Sequence, residues 1–218
     1  MAALGAFALL CLSSLLAIIN PLTTAPLYLS ITDGYAADHR QRMLRNAILT
    51  GLVTLWSFAL LGGAIFQMFG ITLHAFRIAG GVILFGIGLD MLQAKRSRVR
   101  ATPEEVQEGL DKEDVGVTPL GVPMIVGPGS ITTVMVLMGN AVGMAHVIVV
   151  LASVLIILGF VYGVLSQAPR ILTLIGETGV NVMTRIMGLL VAVIAVQFIV
   201  DGVRPVLVES LRAAGGIL

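Results

Sequence analysis

The residues whose types and spacing promise chemistry form two proline pairs, each accompanied by small polar side chains. Asn20-Pro21 is followed by Thr23-Thr24 and Ala25-Pro26, and Pro123 is followed by Gly127-Pro128-Gly129-Ser130 and Thr132-Thr133. The prolines of each pair lie five positions apart. Proline has no N–H and its ring clashes with the preceding turn, so each pair predicts an interrupted helix. At an interruption one half-helix ends in free carbonyls, and the next begins with free N–H groups and a positive dipole end. Such a place suits a small zwitterion, with its carboxylate on the N–H groups and its ammonium on the carbonyls, and needs no buried charged side chain.

The residues expected to line that site are Asn20, Pro21, Thr23, Thr24, Pro26, Pro123, Gly127, Pro128, Gly129, Ser130, Thr132 and Thr133. Thr23 and Thr24 are expected to cap a second half-helix whose first turn holds Pro26. Gly127 is expected to supply an unusual turn ahead of Pro128 at a first helical position. The competing explanation is packing, because proline kinks, glycine contacts and threonines bonded to their own backbone are ordinary in membrane helices. Two matching breaks at corresponding places favour a site.

The elements that must position these residues follow from composition. Of 218 residues, 57% are hydrophobic and 11% charged, against about a quarter charged in a soluble domain. Stretches such as Val147 to Leu165 carry no Asp, Glu, Lys or Arg, and roughly 18 such residues cross a bilayer. The expected fold class is all-α membrane, with six spans at 5–31, 44–69, 75–93, 118–139, 145–166 and 183–204. Spans one and four would break near the bilayer midplane, the 27 residues of span one reaching about 40 Å against a hydrocarbon core of about 30 Å. Met1 to Ile19 has the apolar run of a signal sequence but neither a basic start nor a clear cleavage site, so it reads as a retained span.

Six spans divide into halves at 1–93 and 118–218, joined by a polar linker at 94–117. Besides the proline pairs, Arg77-Ile78-Ala79-Gly80 opens span three as Arg185-Ile186-Met187-Gly188 opens span six. A repeat of three spans must invert its second copy, a recurrent transporter design. Loops one, three and five hold ten Lys and Arg and the opposite side three, which puts both termini outside the cytoplasm.

Other chemistry is poorly supplied. A net charge of +1 with no basic stripe gives no footprint for nucleic acid. His39, His74 and His146 stand singly near span ends, Cys11 is the lone cysteine, and no His-Glu-x-x-His or Cys-x-x-Cys occurs. No catalytic residue, metal or cofactor is therefore expected. Asp90 and Asp201 fall near interfaces, where solvation explains them. Arg77 and Arg185 are expected to snorkel, and Gly80, Gly81, Gly86, Gly88, Gly188 and Ala192 to permit close helix packing. In the linker, Thr102-Pro103-Glu104-Glu105 reads as the capped start of a short helix.

Asn20-Pro21 through Pro26, with Pro123 and Gly127-Pro128-Gly129-Ser130, resemble the paired signatures of the MarC family, over the whole chain in length, span number and loop order. That resemblance implies an inner-membrane protein with six spans and outside termini, whose relatives include SnatA-type transporters of small neutral amino acids, and it suggests proton coupling. Members often carry Gly-Asn where this chain has Thr23-Thr24. The expected function is secondary transport of glycine, alanine or serine by alternating access, one half rocking against the other. The alternatives are a membrane scaffold that packs through its glycine faces and an intramembrane enzyme.

Overall fold

A computed structural model describes residues 2–94 and 116–213. The linker helix expected at Thr102 lies outside the described residues. Among these residues there are eight helices and no strand. They are α1 (Ala2–Ile19), α2 (Pro21–Ile31), α3 (Ala37–Phe69), α4 (Leu73–Leu92), the π-helical α5 (Gly116–Ile125), α6 (Pro128–Gly139), α7 (Met144–Ser166) and α8 (Ala168–Ala213).

Five segments are long and apolar enough to cross a membrane: Ala3–Ile31, Ala37–Phe69, Leu73–Leu92, Met144–Ser166 and Ala168–Leu211. The stretch expected as a fourth span is divided instead between α5 and the apolar but 12-residue α6. α3 begins seven residues before the expected span, because the charged turn from Asp38 to Arg45 stays helical beyond the apolar run. α8 likewise runs well past 183–204 at both ends, with one break at Gly176, where φ is 70° and ψ 169°.

Capping explains several ends. The Thr72 hydroxyl accepts from Ala75 N at 3.2 Å to start α4, and Gly70, at φ 64°, closes α3 in the left-handed form that glycine adopts freely. Outward faces carry large apolar side chains such as Leu9, Val53, Leu60, Ile156 and Val193, all more than half exposed. So many on one small chain need lipid as their solvent.

The inward faces form two separate cores. The larger joins Cys11, Leu15 and Ile19 of α1, Ala25 and Tyr28 of α2, Leu44 and Leu55 of α3, Leu120 and Ile125 of α5, Val134 of α6, and Val154 and Leu158 of α7. The smaller joins Ala17 and Ile18 of α1, Leu84, Ile87 and Met91 of α4, Val136 of α6, and Val191, Ala195 and Phe198 of α8. α1 packs on α7, α5 on α3, α2 on α8, α6 on α4, α3 on α7, and α4 on α8.

The α4–α8 pair is the closest packed. A Cβ on Gly81 would stand 2.8 Å from the Ala195 carbonyl oxygen, and one on Gly202 2.7 Å from that of His74. Gly188, Ala195 and Gly202 of α8 meet Gly88, Gly81 and His74 of α4 in turn, so the two helices are antiparallel. Gly86 faces open space and takes no part in this packing, contrary to the expectation from spacing. Trp56 ties α3 to α7 by donating from Nε1 to Leu151 O at 3.2 Å.

Candidate functional site

The chain leaves helical geometry between α1 and α2 at one residue. Asn20 has φ 39° and ψ 81°, a left-handed conformation that asparagine tolerates better than most side chains. Asn20 N still closes α1 on Leu16 O at 3.0 Å, while its carbonyl accepts from Thr23 N at 3.2 Å and Thr24 N at 3.4 Å. Pro21 then takes the first helical position, where a missing N–H does no harm.

The break therefore lies before Pro21, and Pro26 is carried inside α2. This corrects the expected capping. Thr23 and Thr24 are helical, and the Thr24 hydroxyl donates back to Asn20 O at 3.4 Å. Thr23 meets Thr184 of α8, Oγ1 to Oγ1, at 3.1 Å. Thr184 already donates to Val180 O at 2.8 Å, so its proton is spent and Thr23 is the donor of the pair.

The second break separates α5 from α6. Pro123 falls within α5, whose wide turns bond Val126 N to Gly121 O at 3.0 Å, five residues back. Such π adjustments let a membrane helix keep its carbonyls satisfied around a proline. Gly127 is extended at φ −102° and ψ −179°, a conformation open to any residue, so its expected unusual turn is absent. Pro128 opens α6, and the Gly127 carbonyl accepts from Ser130 N at 3.1 Å and Ile131 N at 3.2 Å. The Gly129 N–H, next after the proline, is the free donor that a helix start leaves.

The two breaks approach each other. A Cβ on Gly129 would stand 3.4 Å from Ile18 Cγ2, two residues before Asn20. Ile18, Ile87, Met124, Ile125, Gly127, Gly129 and Ser130 line a cavity of about 10 Å³, which suffices for about one water. Asn20 is 2% exposed, and its Nδ2 has no hydrogen-bond partner among the described residues. A buried donor left unpaired calls for an explanation.

The other expected residues divide. Ser130 and Thr133 are buried, but their hydroxyls turn onto Gly127 O at 2.9 Å and Gly129 O at 2.8 Å. Thr132 packs against Gly80 of α4. Pro26 and Pro128 are exposed. Ile18, Leu84, Ile87, Met124, Ile125 and Thr184 belong to the same neighbourhood and carry no signal in the sequence, because each sits in an apolar run or on a separate helix.

Nearer the helix ends, Arg77 donates from an Nη to the Asn140 side chain at the end of α6, where a cation also suits the helix dipole. Asp201 accepts from Gln197 Nε2 at 2.7 Å along α8. No three of His, Cys, Asp and Glu come together among the described residues as a metal site would need.

Residues 5–207 match the family model described as MarC family integral membrane protein. The chain is 38% identical over 192 residues to the UPF0056 membrane protein YvbG of Bacillus subtilis, an alignment covering 88% of this chain and 91% of the relative. It is 36% identical over 196 residues to the UPF0056 membrane protein MJ1677 of Methanocaldococcus jannaschii, covering 90% and 95%. With the UPF0056 membrane protein YhcE of Escherichia coli it shares 32% over 190 residues, covering 87% and 88%. No solved structure matches the chain.

Proposed function

Since this chain belongs to the MarC family of integral membrane proteins, we propose that it is a secondary transporter of small neutral amino acids of the glycine, alanine and serine class. The observation that carries the reading is Asn20, whose buried amide lacks a partner two residues after Ile18, which touches the α6 start at Gly129, where one N–H is left free. A substrate carboxylate would accept from Asn20 Nδ2 and Gly129 N–H, and carbonyls released at the breaks would receive its ammonium.

An inverted repeat is supported by the packing partners of the two halves. Exchanging α1 and α2 with α5 and α6, α3 with α7, and α4 with α8 turns α1 on α7 into α5 on α3, and α2 on α8 into α6 on α4. The pairs α3–α7 and α4–α8 map onto themselves. With three spans in each half, such an exchange turns the chain over in the membrane, and the breaks come near the midplane. The breaks are not in equivalent register, since α2 opens on the first proline of its pair and α6 on the second.

Alternating access needs two packed bodies with a site between them. The cavity lies at the seam of the two cores, lined by Ile18 and Ile87 of the smaller and Met124 and Ile125 of the larger. In the present packing that seam is closed. The location would be the inner membrane with both termini outside, as the Lys and Arg distribution favours.

One observation favours a scaffold instead: the Thr24, Ser130 and Thr133 hydroxyls are all spent on nearby backbone. Proteoliposomes separate the two readings. Uptake of labelled glycine, alanine or serine above protein-free vesicles is the expected result, and no uptake together with no binding of any of the three overturns it.

A further inference from the structure

The room available at the break is set from a helix that carries neither break. A Cβ on Gly129 would stand 3.0 Å from Ile87 Cδ1 and 3.1 Å from Leu84 Cδ2, both on α4. Ile87 is 1% exposed, and it also lines the cavity. A space of about 10 Å³ holds a water but no amino acid. A ligand that reaches the Gly129 N–H must therefore displace these aliphatic tips.

Among the residues lining the cavity the polar groups are those of the break, at Gly127, Gly129 and Ser130, while α4 contributes only the hydrocarbon of Ile87. A ligand whose carboxylate and ammonium meet the breaks has its side chain left to face α4. An apolar wall that touches no hydrogen-bonding group measures size alone.

We infer that Ile87, backed by Leu84, is the specificity-determining wall of the site, limiting the substrate side chain to a few heavy atoms. This rests on the transport reading above and adds the residue that sets the size limit. Ile87 has no hydrogen bond to lose, so shortening it enlarges the site without altering the donors.

The test compares glycine and leucine uptake by wild type, Ile87→Val and Ile87→Ala in proteoliposomes, with the thermal stability of each preparation recorded alongside. The leucine-to-glycine ratio is expected to rise about tenfold or more in Ile87→Ala and less in Ile87→Val, since a methylene in an apolar pocket shifts discrimination roughly 10- to 200-fold. A second arm keeps the idea testable if Ile87→Ala does not fold. Gly129→Ala should lose glycine uptake because its methyl meets Ile87 Cδ1, and adding Ile87→Val, which lacks Cδ1, should restore part of it. If wild type moves glycine, but the ratio stays unchanged in folded Ile87 variants and the double variant shows no recovery, the wall lies elsewhere. If wild type neither binds nor moves glycine, the transport reading falls first and this inference with it.

Discussion

Gly88 of α4 and Gly188 of α8 meet backbone to backbone. A Cβ on Gly88 would stand 3.0 Å from Gly188 O, and one on Gly188 would stand 2.9 Å from Gly88 O. Neither carbonyl can turn aside as the tip of a side chain could. Alanine at either position should lower stability by about 1–3 kcal/mol, the usual cost of overpacking. The paired change should deviate from the sum, since both methyls push on one contact. Gly86→Ala, with nothing within 4 Å, should hold or slightly raise the melting temperature because alanine is the better helix former. Thermal denaturation in detergent reads all of these.

Asn20 does two separable things, holding a left-handed backbone and presenting an amide. Asn20→Gly keeps the first and removes the second, so the melting temperature without ligand should stay near wild type while stabilisation by added glycine disappears. Asn20→Ala should lose both, the backbone strain alone costing roughly 1–2 kcal/mol. At a glycine concentration of about 100 Kd the wild type should gain about 2.7 kcal/mol. Equal glycine-induced shifts in wild type and Asn20→Gly would remove Asn20 from the site.

Thr23 donates to Thr184, which donates onward to Val180 O. Thr184→Val removes the acceptor and leaves a hydroxyl short of a partner, whereas Thr23→Val removes only the outer donor. The first change should cost more, with a coupling of about 0.5–1.5 kcal/mol in a double-mutant cycle. Additive melting shifts would mean that α2 and α8 do not communicate through this pair.

Ten Lys and Arg in loops one, three and five against three on the other side would place the C-terminus outside the cytoplasm if the positive-inside rule governs this chain. A C-terminal alkaline phosphatase fusion should be active, and a fluorescent protein fusion that requires the cytoplasm should be dark. The opposite pattern overturns the orientation.

Apolar runs made the membrane class and most helices legible in the sequence, because lipid leaves a long uncharged run few other fates. Boundaries were less legible where a helix continues beyond the hydrocarbon, as α3 does at Asp38 and α8 does on both sides of 183–204. Charge ends an apolar run without ending a helix.

The prolines were read correctly at Pro128, which opens α6, and incorrectly in the first pair, where Pro21 rather than Pro26 opens a helix. Pro21 and Pro128 sit at helix starts, where their missing N–H is harmless, and the departures fall just before them. Pro26 stays inside α2, and Pro123 is absorbed by the wider turns of α5. Sequence spacing cannot choose among these outcomes, since each depends on which neighbour satisfies the freed carbonyl. Ile87 and Leu84 were invisible for another reason: their importance comes from the α4–α6 contact, and nothing local distinguishes them from other aliphatic residues in the run.

The partition into two cores restricts the direction from which anything can reach the breaks. Parting them sideways in the membrane plane would bring lipid tails against the buried Asn20 amide and the Gly129 N–H, and hydrocarbon offers no partner to either. Water or protein must always cover them. On the transport reading, an entrance would therefore run along the membrane normal, and a molecule arriving within the bilayer plane would find no door.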